Sequence, residues 1–268
     1  MANKRTRERQ LAKLAARRQA ERAGQIRRRN RLVAGAAGIV VAALVATAGF
    51  ALIDGNDEGA LSPTPSVSTT PEPSVACKAD VPKAAAKTKP TFKKAPKLTI
   101  DPVAAYTATM VTSCGTIVIE LDAKTAPETV NSFAFLAGKH YYDGLTFHRI
   151  DASIDIIQGG DPAGDGSGSP GYSIPDEITG DEKYVPGTLA MANAGPDTGG
   201  SQFFFVYGPN GEANLSPNYT IFGRVTEGLD VLKKISRIPI VDPNATTPGP
   251  GQRPSETVYI ESVTVEES

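Results

Sequence analysis

Arg149 and Gln158 are the residues of this chain whose types and spacing could do chemistry. They stand in "TFHRIDASIDIIQGGD", residues 146–161, which offers one arginine and one neutral amide but no nucleophile. Strand side chains alternate, which predicts Phe147 and Arg149 on one face and His148 and Ile150 on the other. Chemistry built on this pair has to work through electrostatics and shape alone. Other kinds of site find little to stand on. The chain has 2 histidines, His140 and His148, and neither a Cys-x-x-Cys nor a His-Glu-x-x-His pattern, so no metal is expected. Without a Gly-x-Ser-x-Gly elbow His148 has no serine to activate, and it reads as a satisfied core residue. "GDGSGSPG", residues 164–171, lacks the Gly-Lys-Ser/Thr ending of a phosphate loop. Asp161, Asp165 and Asp176 stand near turns and read as caps rather than as an acid/base pair. No cofactor is expected.

The elements that must position Arg149 and Gln158 are mostly strands. "YTATMVT" (106–112) and "TIVIEL" (116–121) are β-rich runs joined by "SCG", which predicts a hairpin. Further strands are predicted at 145–150, 155–158, 187–192, 202–207, 221–225 and 257–265. "TAPETVNSFAFLAGK" reads as a helix with a Thr125/Glu128 capping box, an apolar face of Val130, Phe133, Ala134 and Ala137, and Gly138 at its end. A second short helix fits "GLDVLKKIS" (228–236). Many antiparallel strands with two helices point to a closed barrel, which leaves no sheet edge. The fold class is therefore mainly β.

A second stretch, "GTLAMANAGPDTGGSQFFFVYG" (187–208), completes the pattern. Together with "FHRI", "IIQGGDPAGDGSGSPGY" and "NYTIFGRV" (218–225) it closely resembles the cyclophilin family of peptidyl-prolyl cis-trans isomerases, over about Tyr106–Ser268. The resemblance implies an eight-stranded antiparallel barrel capped by two helices, and an enzyme that needs no cofactor. It implies that Arg149 donates a hydrogen bond to the prolyl nitrogen or the adjoining carbonyl, that Gln158 helps hold it, and that the Asn193 backbone binds substrate. Phe204 would form the floor of a proline pocket, with Ile156, Leu215 and Tyr219 as walls, and Met191, Ala192, Ala194 and Gln202 would line the groove. Alternation separates Phe204 from Phe203 and Phe205, so one orientation of the strand fills the pocket. The reaction suits such a site, because the barrier to rotation, about 18–20 kcal/mol, comes from amide resonance and no covalent intermediate is needed. The rival reading on this fold is a proline-peptide binding module or holdase chaperone. The chain departs from the family pattern in one extra residue between Arg149 and Gln158, which puts Ile154 or Asp155 where an aromatic wall is usual. Asn214 stands where many members carry the tryptophan used in cyclosporin binding, and Tyr219 where a histidine is common.

Charge and hydropathy describe the rest. Residues 1–31 hold 12 Lys+Arg against 2 Glu, whereas the remainder is acidic. Leu32–Ile53 is a run of 22 uncharged residues, roughly 33 Å as a helix and long enough for a hydrocarbon core of about 30 Å. The basic flank predicts a cytoplasmic tail (1–31), a single transmembrane anchor (32–53) and export of all that follows. Lys and Arg there are read as a topology signal at the membrane surface, not as a nucleic-acid site. Residues 54–104, rich in Pro, Ser, Thr, Ala and Lys, read as a flexible tether to one domain at 105–268. The arrangement is similar to that of membrane-tethered actinobacterial cyclophilins. Its expected partners are proline-containing peptides and unfolded exported proteins, and it is expected to be monomeric. Cys77 and Cys114 would both be exported, and a disulfide between them is expected, with two unpaired thiols as the alternative.

Overall fold

The computed structural model describes residues 74–245 and 248–267. Eight antiparallel strands close a barrel in the order β1-β2-β7-β5-β6-β4-β3-β8. They are β1 (Tyr106–Thr112), β2 (Gly115–Leu121), β3 (Thr146–Asp151), β4 (Ile156–Gly159), β5 (Thr188–Met191), β6 (Phe203–Val206), β7 (Ile221–Glu227) and β8 (Val258–Glu267). The described helices are α1 (Pro127–Gly138), α2 (Asn210–Asn214) and α3 (Leu229–Ile235), with 3-10 turns at Ala76–Lys78 and Pro250–Gln252. The one-turn α2 adds to the two helices the sequence predicts. Among the described residues no helix is long and apolar enough to cross a membrane; the run at 32–53 lies outside them.

Alternation builds the core. On β6, Phe203 and Phe205 point into the barrel, and Phe133 of α1 meets Phe203 edge-on at 5.9 Å and Tyr142 in a tilted contact at 5.1 Å. α1 thus buries its apolar face against the barrel. The Thr125/Glu128 capping box does not form, and Thr125 N–H instead donates to Asp122. Glu177, from a distant loop, accepts from the backbone N–H groups of Glu128 and Thr129 at 2.9 Å each and so satisfies the helix start.

Of the register shifts in the barrel, the one between Phe147 and Arg149 matters for the site. β3 pairs Phe147 with Gly159 but Arg149 with Gln158, so two steps on β3 match one on β4. The bulge at His148 turns Arg149 away from the face that holds Phe147. Phe147 and Ile150 lie in the core, whereas Arg149 stands outside with Gln158. The pairing of faces expected from strict alternation is therefore corrected.

The tether assignment needs a second correction for residues 75–104, which pack on the barrel as a strap. Ala76 N–H donates to Thr257 O and Thr257 N–H to Ser74 O, extending the barrel wall by a short parallel bridge. Cys77 and Cys114 form a disulfide with Cα atoms 5.2 Å apart. Phe92 packs edge-on against Phe135 at 5.0 Å and lies 6.4 Å from both Tyr141 and Tyr172. The buried amide of Asn131 donates to Lys97 O and accepts from the N–H and hydroxyl of Thr99. At Gly144 (φ +77°) a Cβ would lie 2.3 Å from Ala85 N, so the strap passes where no side chain fits. The part of the expected tether before Ser74 lies outside the described residues.

Candidate active site

The strands that face Phe203 and Phe205 inward turn a second, smaller apolar surface outward. Ile156, Ala190, Phe204 and Val206 form it with Tyr184, and Ile154, Ala192, Leu215 and Tyr219 pack around them. They enclose one end of a cleft of about 580 Å³, which His148, Arg149, Gln158 and Asn193 also line. Phe204 is the floor, only 2 % exposed, with the Tyr219 ring standing perpendicular to it at 5.2 Å. Tyr219 is held by its backbone: its N–H donates to the Tyr184 hydroxyl, which in turn donates to Tyr219 O, both at 3.0 Å. Burial pushes the Tyr184 phenol up to about 12, so it remains a donor at neutral pH.

The other end of the cleft is polar and continuous. Arg149 Nη1 donates to Gln158 Oε1 at 3.0 Å, Nη2 to Asp151 Oδ2 at 2.6 Å, and Nε to Gln252 Oε1 at 2.7 Å. Gln158 Nε2 donates onward to Gln202 Oε1, and Gln202 Nε2 to the carbonyls of Gly166 and Gly168, each at 3.0 Å. The loop that supplies those carbonyls is folded by Asp161, which is 1 % exposed and accepts from the N–H groups of Ala163, Asp165 and Gly166. Burial works against the Asp151 carboxylate, but hydrogen bonds from Ser153, the Gln252 amide and the Arg149 charge outweigh it and hold its pKa below the usual range. Asp151 therefore remains the counter-ion of Arg149 at neutral pH.

Three hydrogen bonds leave two of the five guanidinium N–H groups of Arg149, one on each terminal nitrogen, without a partner among the described residues. The backbone N–H and C=O of Asn193 likewise have none, while its side chain donates to Asn218 O at 2.8 Å and secures the loop before Tyr219. The cleft thus presents a fixed cation, an open stretch of backbone and an apolar floor. It has no evident nucleophile. Its arrangement suits polarising an amide gripped by an apolar side chain.

Most sequence-predicted residues meet here. Arg149, Gln158, Asn193, Ile156, Ala192, Phe204, Leu215 and Tyr219 line the cleft. Ala194 and Gln202 line an adjoining groove of about 270 Å³, which shares Gln158, Ala192 and Asn193 with the cleft. Met191 does not belong to either: by alternation on β5 it joins Leu189 in the core, opposite Ala190. The extra residue in the 151–155 loop leaves Ile154 in the cleft wall. Asp155 turns inward at φ +49° and accepts from Asn210 N–H, so it is an anchor of α2 rather than a wall. Asn214 ties α2 to this loop through Ser153 O at 2.8 Å. His148 is buried as expected but is not satisfied, since neither ring nitrogen has a partner among the described residues. Sequence reasoning missed Asp151, Tyr184 and Gln252. Gln252 lies 103 residues beyond Arg149, and no local pattern connects them.

Comparison with known proteins agrees with this geometry. The sequence model described as "Cyclophilin type peptidyl-prolyl cis-trans isomerase/CLD" matches residues 107–265. A probable peptidyl-prolyl cis-trans isomerase B of Mycobacterium tuberculosis is 42% identical over 156 residues, covering 53% of this chain and 49% of that protein. Peptidyl-prolyl cis-trans isomerase B of Bacillus subtilis is 47% identical over 121 residues, 45% of this chain and 82% of that protein. A cyclophilin type peptidyl-prolyl cis-trans isomerase of Cryptosporidium parvum, crystallised in the presence of the dipeptide Ala-Pro, superposes with a TM-score of 0.53 at 30% identity, covering 60% of this chain and 99% of that one. The match spans about half the length of the mycobacterial relative. The chain belongs to the cyclophilin-type peptidyl-prolyl cis-trans isomerase family.

Proposed function

We propose that this chain accelerates cis–trans isomerisation of X–Pro bonds. The observation that carries the reading is Arg149, fixed on three sides at the edge of the Phe204 pocket with two N–H groups unpartnered. Proline enters between Phe204, Ile156, Leu215, Tyr219 and Ile154, and the peptide backbone pairs with Asn193. As the amide twists, conjugation is lost and the prolyl nitrogen becomes pyramidal and basic. Arg149 donates to it in that state more strongly than in the planar ground state, which is the condition for acceleration rather than mere binding. Gln158 keeps the guanidinium in place, and Ala192, Ala194 and Gln202 receive the residues that flank the proline. A single preorganised donor of this kind contributes about 2.7–4 kcal/mol to a transition state. Arg149→Ala should therefore lower kcat/KM about 10²–10³-fold on an Ala-Pro peptide, measured in the full chain by exchange between cis and trans signals. Peptide binding without acceleration in the parent would instead identify a binding module.

The same chain is proposed to act outside the cytoplasm, anchored by Leu32–Ile53, on proline-containing segments of exported proteins. Support comes from the uncharged run with its basic flank, and from a disulfide of the kind that persists in oxidising compartments. Protease added outside intact cells, with the wall removed, should cut the isomerase domain from its anchor. Full protection would place the domain inside.

A further inference from the structure

The loop between α3 and β8 carries a group that reaches Arg149 from outside the β3–β4 pair. Residues 239–242 pair with residues 251–255: Ser255 N–H donates to Pro239 O, Val241 N–H to Arg253 O and Asp242 N–H to Gly251 O. The closure is tight, because a Cβ on Gly251 would lie 2.8 Å from Ala245 Cβ. Within this frame Gln252 N–H bonds Gly249 O, and the Gln252 side chain, 2 % exposed, turns inward to Arg149 Nε.

We infer that Gln252 is a positioning residue for Arg149, so that the loop before β8 sets the orientation of the guanidinium; the inference rests on the proposed role of Arg149. A planar guanidinium held only through its two terminal nitrogens can still pivot about the line that joins them. Gln158 and Asp151 make those two bonds, and both belong to the β3–β4 pair. Gln252 makes the third, at Nε, from a separate element. Three acceptors on three nitrogens remove the pivot and direct the two unpartnered N–H groups along fixed lines. Asp151 is coupled to the same device, since the Gln252 amide also favours its carboxylate. Misplacing a reacting group by about 1 Å can cost roughly 10²-fold in rate, and a pivot about two remaining bonds is a smaller displacement.

The test compares Gln252→Met, which keeps the volume but loses the acceptor, with Gln252→Glu, which keeps an acceptor oxygen, both in the full chain. Turnover and affinity are read on one Ala-Pro peptide, and exchange of the Arg149 Nε–H proton with water is read by NMR. Gln252→Met should lower kcat about tenfold with peptide Kd within about twofold, and should speed Nε–H exchange. Gln252→Glu should retain most of the turnover and the slow exchange. Parent-like turnover in Gln252→Met, a Glu variant as impaired as the Met variant, or fast Nε–H exchange already in the parent would overturn the inference. A parent that does not isomerise the peptide would defeat the proposed function, and the exchange rates would still decide whether Gln252 fixes Arg149.

Discussion

The cleft and the strap are two regions built on the outside of one barrel, and they use polar groups in opposite ways. Under the strap, the buried Asn131 amide is closed off against groups of the strap itself. The Asn131 amide accepts two bonds from Thr99 and donates to Lys97 O, and the one covalent tie is the disulfide. In the cleft the network is just as continuous, from Asp151 through Arg149, Gln158 and Gln202 to the carbonyls of Gly166 and Gly168, yet it ends in open donors. A satisfied network fixes a surface and has no further capacity to bind. A network anchored at three of its guanidinium N–H groups, with two left open, is rigid and still able to act. The comparison separates stability from activity: changes under the strap should alter the first, and changes in the cleft the second.

The largest effect expected from the strap is loss of its covalent tie. Cys77 and Cys114 are 37 residues apart in sequence, and in the chain-entropy model closing a loop of that length contributes about 4 kcal/mol. Replacing both with alanine should lower the stability by about that amount, as read from denaturant midpoints at a constant slope. Turnover of an Ala-Pro peptide at 25 °C should be unchanged, because neither cysteine lines the cleft. A parallel fall in turnover would break the comparison by showing that the strap supports the cleft. An unchanged midpoint would show that Phe92 and Asn131 hold the strap without it.

The two regions also differ in how far the sequence discloses them. The eight strands were legible to within a residue or two: β1 because alternating burial leaves a period of two, β5 and β6, buried throughout, because they read as short apolar runs. The cleft was legible because Arg149, Gln158 and Phe204 stand in short stretches of distinctive residue types along the chain. Its positioning groups were not. Gln252 and Tyr184 act through one amide oxygen and one hydroxyl, brought to the site by loops far away in sequence. The bulge at His148 was hidden for a related reason, since strict alternation says nothing about where a strand gains a residue. Met191 was misassigned because a motif names neighbours along the chain, whereas β5 sends successive residues to opposite faces. The strap was least visible. Pro, Ala and Lys give it no apolar period, and its attachment rests on isolated side chains, among them Cys77, Phe92, Thr99 and Ile100, and on backbone atoms that any sequence would carry.

A smaller effect distinguishes the regions by pH. His148 is 6 % exposed at the bulge, and neither of its ring nitrogens has a partner among the described residues. Burial lowers its pKa; Asp161 and Asp165 pull upward without overcoming this, and the neighbouring Arg149 charge lowers it further. The folded state therefore resists protonating His148, whereas in the unfolded chain the imidazole titrates near its ordinary value of about 6.5. With the unfolded state binding more protons, stability rises with pH through this region. Its His148 contribution is complete above about pH 6.5 and is lost progressively as pH falls below it, until the folded-state pKa is passed. Under the strap the disulfide carries no proton to exchange, so the double alanine variant should keep the parent's slope of stability against pH. His148→Leu, which removes both ring nitrogens, should flatten that slope between about pH 5 and 7. Denaturant midpoints of parent and variant across this range decide the matter. Identical slopes would mean that His148 finds a partner for its proton in the folded state, and that the cleft is no more sensitive to acid than the strap.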